Sequence, residues 1–460
     1  MFEFPYTYRY SPLSLGSDIR LLRLMPHKDG TAPIQCQLFD YSLQDSGKRT
    51  HLYEALSYVW GGSDKLRSIS IDKYNLPVTV NFHTALSRLR DRFIERIIWI
   101  DAICINQVDL KELSLQVQLM AKIYSKANRV IIWLREMEPD SEQVFEDIRL
   151  SANEESTEHS KKEINQQAIL NLLQRPWFQR IWVLQEVAAA RHVVIMCGSV
   201  EIDRYAFCLG LKSLKLSYTA SPELQTLPSV TYLIERAGLR SKCTTNLPER
   251  FSLNIRCLPE LIDMFHTRKA SDVHDKVYAL LDMSSDEPDE AGLRPDYEVS
   301  WKELFQKLIK FALGKDVSVE TSDRTQRAVI KSKGSILGQV SSVRSDDRQN
   351  VNIKFTSKNT AWNLGDKMEW TLQASAKSIR ERDIICLLQG ASKPTIIRLY
   401  RDHFAIIVIA VTPLKKSGSF EQLELSKSIK YFPRDFPLVW DWNSSWESRK
   451  IEKDQRIGCL

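Results

Sequence analysis

The sequence predicts an α/β fold, in which a mostly parallel sheet is followed by a helical region and a small β-rich C-terminal domain. Two observations carry this prediction. Short apolar strands alternate with segments of helical periodicity as far as about residue 200. Two of the strands, residues 97–100 and 130–134, are continuously apolar, which is typical of parallel strands that are covered on both faces.

Local patterns predict the elements of the α/β part in order. Asn81 is a plausible N-cap for a helix that follows a β-hairpin. Asp109 and Glu112 have the spacing of a capping box, and apolar residues then recur at helical spacing. Pro176 is expected to open a single helix that continues to residue 190. The predicted strands are residues 19–24, 34–38, 54–60, 68–71, 78–80, 97–100, 130–134 and 192–196.

The remaining segments differ in composition. Residues 136–163 contain ten acidic and three basic residues, a net charge of −7, and are expected to be solvated helix and loop outside the core. The pattern is mainly helical from residue 205 to about 313, including residues 301–313, where apolar residues recur at helical spacing. Residues 321–333 are expected to be a polar linker. Short β-rich runs follow at residues 335–340, 383–388, 395–399 and 404–411.

These patterns predict four parts of the 460-residue chain. They are an N-terminal strand lead-in (1–45), the α/β domain (46–200), a mainly helical region (201–320) and a β-rich C-terminal domain with a polar tail (321–460).

Composition excludes several classes of protein. The chain is 43% hydrophobic and 27% charged, which is typical of a globular protein. Its net charge of +6 is small for this length, so we expect no nucleic-acid partner. The longest apolar run, residues 404–411, is far too short to span a membrane. The eight cysteines are dispersed without a C-x-x-C pair, and the start of the chain lacks a signal-peptide pattern. We therefore expect reduced thiols, no metal site and a cytoplasmic location.

Three polar and aromatic clusters lie at the ends of predicted core elements, in residues 53–61, 99–107 and 177–186. In an open α/β sheet, groups at the carboxyl ends of strands converge on a ligand crevice. We therefore expect these clusters to meet. The candidate binding residues are Ser57, Trp60, Gly61, Asp101, Asn106, Gln107 and Trp182, and the candidate catalytic residue is Glu186.

The three clusters resemble the signature blocks of the HET (heterokaryon incompatibility) domain of fungi. They are Y-E-A-L-S-Y-V-W-G at 53–61, W-I-D-A-I-C-I-N-Q-V-D at 99–109 and W-F-Q-R-I-W-V-L-Q-E at 177–186. The segments D-K-V-Y-A-L-L at 275–281 and P-D-Y at 295–297 are similar to segments that follow the domain in that family. The resemblance implies a role in non-self recognition and incompatibility-triggered cell death.

The HET domain is in turn distantly similar to TIR domains, some of which cleave NAD. This implies a TIR-like, flavodoxin-like sheet, and it places Glu186 on the TIR catalytic glutamate, four residues after Trp182. The TIR serine before that tryptophan is not matched, since Arg180 and Ile181 stand there. A carboxylate can stabilise the oxocarbenium-like state of N-glycosidic cleavage, and Trp60 or Trp182 could stack on a ring.

The residues themselves leave two alternatives open for Glu186. It either faces a cleft, or pairs with Arg180 or caps a neighbouring loop as a structural group. Asp101, Asn106 and Gln107 can equally fix loop backbone or touch a ligand. Ser57 lacks a G-x-S-x-G elbow, so a hydrolase nucleophile is not expected.

Two functional hypotheses follow, and the sequence does not decide whether the chain is an enzyme. The first is an effector of fungal cell death that cleaves NAD through Glu186, with NAD as a substrate and no cofactor. The second is a non-enzymatic module that associates with itself or with another incompatibility protein. An open cleft at Glu186, lined by tryptophan and Asp101, would favour the first, and a buried ion pair would favour the second.

Overall fold

The computed structural model describes most of the chain between residues 8 and 442. The described residues are 8–13, 18–43, 52–62, 66–137, 141–152, 165–214, 216, 227–239, 243–244, 251–322, 325–345, 350–357, 367–373, 379–413, 429 and 431–442. They divide into two compact units. The first comprises Met1–Leu253 with Pro295–Tyr297, and the second Asn254–Arg294 with Glu298–Leu460.

The first unit is an α/β assembly. Its strands are β1 (Asp18–Leu24), β2 (Gln35–Ser42), β3 (Glu54–Tyr58), β4 (Leu66–Ile71), β5 (Tyr74–Thr79), β6 (Arg96–Trp99), β7 (Val130–Trp133), β8 (Val193–Cys197), β9 (Val200–Asp203), β10 (Cys243–Thr244) and β11 (Phe251–Ser252). Its helices are α1 (Val80–Leu89), α2 (Asp101–Cys104), α3 (Leu110–Lys126), α4 (Ser141–Ala152), α5 (Gln166–Leu173), α6 (Trp182–Ala189), α7 (Arg204–Ser213) and α8 (Leu227–Glu235).

Nine strands of this unit form one mixed sheet in the order β5-β4-β2-β1-β6-β3-β7-β8-β9. The strands β6, β3, β7 and β8 run parallel to one another at its centre. The expectation of a mostly parallel sheet is corrected here, because antiparallel pairs flank this centre on both sides: β1 pairs with β6 and with β2, β4 pairs with β5, and β9 pairs with β8. Every residue of β7 and β8 is buried, as their continuous apolar sequence predicts.

Two helix starts differ from prediction. The N-cap of α1 is Thr79, whose hydroxyl accepts a hydrogen bond from the Phe82 N–H at 3.3 Å, so the assignment of Asn81 as N-cap is wrong. The helix predicted from Pro176 is two elements, a 3₁₀ turn (Pro176–Gln179) and α6, because Arg180 between them is extended. Asp109, by contrast, is the N-cap of α3 as predicted.

The acidic segment 136–163 is only partly described, since residues 138–140 and 153–164 lie outside the described ranges. The described helix of this segment, α4, is not solvated on all sides, which corrects the expectation of a solvated helix outside the core. It buries Val144, Phe145 and Ile148, which share one face of the helix. The acidic residues of this helix therefore accompany an apolar face that packs into the unit.

The second unit combines helices with an eight-stranded sheet. Its helices are α9 (Leu258–Phe265), α10 (Asp275–Leu281) and α11 (Trp301–Leu313), with a 3₁₀ turn at Pro288–Ala291. Its strands are β12 (Ser318–Ser322), β13 (Thr325–Ser345), β14 (Asn350–Ser357), β15 (Lys367–Gln373), β16 (Ile384–Leu388), β17 (Thr395–Leu399), β18 (Phe404–Val408) and β19 (Arg434–Asp441).

The expected polar linker at residues 321–333 is wrong, because this segment includes the end of β12 and the first part of β13. Ala328 and Ile330 are fully buried whereas Val329 and Lys331 are exposed, which is the alternation of a half-buried strand. The 21-residue β13 pairs with β19 along its first part and with β16 and β14 along its second part. The strands β13, β16, β17, β18 and β19 thereby close into a ring.

Among the residues that the structure describes, no helix combines the length and the apolarity needed to cross a membrane.

Candidate functional site

The carboxyl end of β3 and the helix α6 bring two of the candidate residues together. The Ser57 hydroxyl donates a short hydrogen bond to Glu186 Oε2, although the two residues lie 129 positions apart. The Trp177 indole N–H in turn donates to Ser57 Oγ at 2.8 Å. Ser57, Trp177 and Glu186 are each 1% exposed. They form a closed hydrogen-bonded chain inside the unit.

Burial dominates the electrostatics of this carboxyl group. Loss of solvation raises the pKa of Glu186 from 4.5 to about 7, and the charge of Asp101 acts in the same direction. The positive charge of Arg180 and the hydrogen bond from Ser57 oppose this rise. Close to neutral pH, Glu186 therefore exchanges between its protonated and charged forms.

Arg180 links this chain to the end of β3. Its guanidinium donates a short hydrogen bond to the Tyr58 carbonyl. Burial disfavours the charged guanidinium, but the carboxylates of Glu186 and Asp101 outweigh it and raise the pKa of Arg180. Within the described residues, Glu186 makes no direct ion pair with Arg180, so its hydrogen-bond partner is the serine.

A second pair of candidates lies at the end of β6. The Trp60 indole N–H donates to both carboxylate oxygens of Asp101, at 3.2 and 3.1 Å. Gln107 Nε2 donates to the Asp101 backbone carbonyl at 2.9 Å, which holds the loop after β6 closed. Burial raises the pKa of Asp101, and Arg180 and the Trp60 hydrogen bond act against this. Trp60 is 39% exposed, so it is partly accessible to solvent.

The remaining candidate residues are Asn106, Gly61 and Trp182. The Asn106 side chain accepts from the Val108 N–H at 3.4 Å within its own loop. Gly61 has a φ of +83°, a conformation that favours glycine. Trp182 lies in the first turn of α6 and is half-buried.

Two further side chains, those of Asn81 and Thr79, hold the segment that carries Trp60, and sequence reasoning did not assign them to the site. Asn81 Nδ2 donates to the Val59 carbonyl at 2.6 Å, and Asn81 Oδ1 accepts from the Trp133 indole N–H at 3.0 Å. Thr79 Oγ1 donates to the Trp60 carbonyl at 2.5 Å. Together with Arg180, these side chains bind three successive carbonyls at the end of β3. The position of Asn81 one residue after a strand was the only available signal, and it suggested a helix cap.

A largely buried ion pair between Arg20 and Glu112 holds the loop between α2 and α3 in place. The guanidinium of Arg20 forms a bidentate ion pair with Glu112, with contacts of 2.6 and 2.9 Å. Glu112 Oε1 also accepts from the Asn106 N–H at 2.7 Å, so it does not close the predicted capping box. Arg20 donates further to the Cys104 carbonyl at 3.2 Å. These contacts fix the loop between α2 and α3 from a strand outside the three sequence clusters.

Within the described ranges, no group of three or more His, Cys, Asp or Glu side chains is arranged to hold a metal ion.

A protein-family model matches the part of the chain that contains the three clusters. Residues 53–186 match the family model described as Heterokaryon incompatibility protein (HET). This confirms the resemblance seen in the sequence, since the match begins at Tyr53 of the first cluster and ends at Glu186 of the third. We refer to residues 53–186 as the HET region.

A curated relative extends the similarity beyond the HET region. The chain is 28% identical over 356 residues to Heterokaryon incompatibility protein 6, OR allele, of Neurospora crassa. The alignment covers 64% of this chain and 51% of the relative, so the chain spans about half the length of the curated protein it matches. No solved structure matches. The TIR-like and flavodoxin-like fold therefore stays a prediction.

Proposed function

We propose that this chain acts in fungal heterokaryon incompatibility, and that its HET region works as a protein-interaction module that signals cell death. The family match and the Neurospora crassa relative support the incompatibility role. The burial of Glu186 is the observation that favours a protein-interaction module over an enzyme. A catalytic carboxylate must reach the anomeric carbon of its substrate, whereas this one is 1% exposed and bonded to Ser57.

The surface of the HET region supports the same proposal. Large apolar side chains are exposed on the segments that carry the second pair of candidates. Val108, which follows Gln107, is 90% exposed, and Trp60 is 39% exposed. Val80, at the start of α1, is also 39% exposed. Hydrogen bonds from Thr79 to the Trp60 carbonyl and from the Trp60 indole to Asp101 bring these segments close to one another. Clustered exposed apolar side chains often mark an interaction site. Either a second copy of the chain or another incompatibility protein would bind there.

The proposed module predicts which substitution stops cell death. Val108→Asp places a charge on the exposed apolar surface and should abolish death when the chain is expressed in a fungal host. Glu186→Gln preserves the shape of a buried side chain and should leave death intact. Val329→Asp, at a 42% exposed valine of β13, is the matched control and should also leave death intact. The reverse pattern, in which only Glu186→Gln abolishes death, would contradict the module.

NAD cleavage is the second candidate, and two observations favour it. The pKa of Glu186 is raised to about 7, and strongly perturbed carboxyl groups cluster at functional sites. Ser57 supplies from β3 a hydroxyl that the TIR-like block lacks before Trp182. In this reaction, the C–N bond to nicotinamide breaks, nicotinamide leaves as a neutral molecule, and the Glu186 carboxylate stabilises the oxocarbenium-like sugar. Water then adds to the anomeric carbon and releases a proton, which gives ADP-ribose. The closed Ser57–Glu186 pair would have to open first.

Nicotinamide release from NAD by the purified full chain tests this candidate. An active enzyme should lose about 10² to 10³ of its turnover in the Glu186→Gln variant, as is typical when one preorganised electrostatic contact is removed. Release that is undetectable, or that is equal in the two proteins, would remove NAD cleavage through Glu186.

A further inference from the structure

A cavity of about 550 Å³ lies in the second unit, against the long strand β13. Lys331 and Lys333 line it, and their two-residue spacing places them on the same face of the strand. Lys331 is in register with Ser318 of β12, and Lys333 is in register with Asp435 of β19. Both of these partners also line the cavity, which therefore extends across three neighbouring strands.

A close backbone approach adds two more polar side chains. Gly314, which follows α11, has a φ of +110°, and a Cβ at this position would lie 2.8 Å from the Gln389 carbonyl oxygen. Only glycine allows the segment after α11 to approach the β16–β17 turn so closely. The result is that Asp316 and Gln389 line the same cavity.

The charges of this cavity are not paired with one another. Among the described residues, neither Lys331 nor Lys333 forms an ion pair, and neither does Asp316 or Asp435. This holds even though Lys333 and Asp435 are directly opposite in the sheet. Two ammonium groups and two carboxylates thus converge on one space with their charges open to a ligand.

We propose that this cavity binds a phosphate monoester of a polyol, such as a sugar phosphate or a nucleoside monophosphate. The ammonium groups of Lys331 and Lys333 bind the phosphate as point charges. The carboxylates of Asp316 and Asp435 accept hydrogen bonds from the sugar hydroxyls. Pro437 contributes apolar surface beside Lys331. The volume lies within the range of about 300 to 1,000 Å³ that is usual for small-molecule sites.

The two carboxylates distinguish this ligand from a bare anion. Inorganic phosphate would gain the attraction of the lysines but would also meet the repulsion of Asp316 and Asp435. A phosphate ester carries hydroxyl donors that turn the same carboxylates into acceptors. The mixed charge of the cavity therefore selects for a molecule that combines an anionic group with neutral donors.

Calorimetric titration of the full chain tests the proposal, with ribose 5-phosphate and adenosine 5′-monophosphate as probes and inorganic phosphate as the reference. Both esters should bind more tightly than phosphate. The double variant Lys331→Ala, Lys333→Ala should lower their affinity about tenfold or more, because charge-assisted contacts are lost. Lys310→Ala, at an exposed lysine of α11, is the matched control and should change nothing.

Substitution of Asp316 and Asp435 gives a second test, in which the affinities for the esters and for inorganic phosphate change in opposite directions. The double variant Asp316→Ala, Asp435→Ala should weaken the binding of the sugar phosphates and strengthen the binding of inorganic phosphate, since it removes both the acceptors and the repulsion. Circular dichroism verifies that these surface variants remain folded. The proposal is overturned if phosphate binds the wild-type chain as tightly as the esters, if the lysine variant retains full affinity, or if neither ester binds at millimolar concentration.

Discussion

The buried carboxyl group of Glu186 makes the stability of the chain depend on pH in a defined direction. Its pKa is 4.5 without the protein environment and about 7 in the folded chain. Between these two values, the folded state holds a proton that the unfolded state has released. The free energy of unfolding therefore falls as the pH rises through this interval and levels off above pH 7.

The size of this effect follows from the same two values. Each tenfold change in an ionisation constant corresponds to about 1.4 kcal/mol, so a rise from 4.5 to about 7 corresponds to about 3 kcal/mol. Glu186→Gln removes the titration while its amide oxygen can still accept the hydrogen bond from Ser57. The free energy of unfolding of the variant, minus that of the wild-type chain, should therefore increase by about 3 kcal/mol between pH 4 and pH 8.

Urea unfolding of both proteins across this pH range measures the difference, in which the other titrating groups cancel. Gln167→Asn, at an exposed residue of α5 that has no titratable group, is the control and should give a difference that does not vary with pH. A flat difference for Glu186→Gln would refute the argument, because it would mean that this carboxyl group ionises in the folded chain as it does in water.

Three further substitutions test the contacts around the site by urea unfolding. Trp177→Phe removes the donor to Ser57, so it should lower the free energy of unfolding by about 1 kcal/mol and move the pH-dependent step upward; an unchanged step would contradict the chain of donors. Arg20→Met leaves Glu112, whose side chain is 11% exposed, without its partner and should lower the free energy of unfolding by about 3 to 5 kcal/mol; a smaller loss would mean that water reaches the pair. Asn81→Ala leaves a carbonyl and an indole N–H without their bridge and should lower it by about 1 to 3 kcal/mol; no loss would show that the bridge is dispensable.

The parallel centre of the sheet was predictable because burial on both faces leaves a direct trace in the sequence. The runs at residues 97–100 and 130–134 are apolar at every position, and they form β6 and β7. The linker at residues 321–333 was wrong for the opposite reason. A strand with one exposed face is half polar, and the buried Ala328 and Ile330 are too few to stand out from polar neighbours.

The sequence identifies the residues of the candidate site, but it does not show which of them contact one another. The three clusters carry enough tryptophan, carboxylate and amide groups to identify the candidates. Which of them meet depends on how distant segments pack. Ser57 and Glu186 are 129 residues apart, and nothing local in either segment pairs them. Asn81 was missed because its local position resembles a helix cap, and only the packing of α1 against the ends of β3 and β7 gives it another use.

The most direct test of the proposed function is to follow NAD content and cell death together, over time, in fungal cells that express the full chain. The module predicts that cells die before NAD falls, and that Glu186→Gln changes neither the death nor its timing. A fall in NAD that precedes death, and that disappears together with death in the Glu186→Gln cells, would contradict the module and establish catalysis through Glu186.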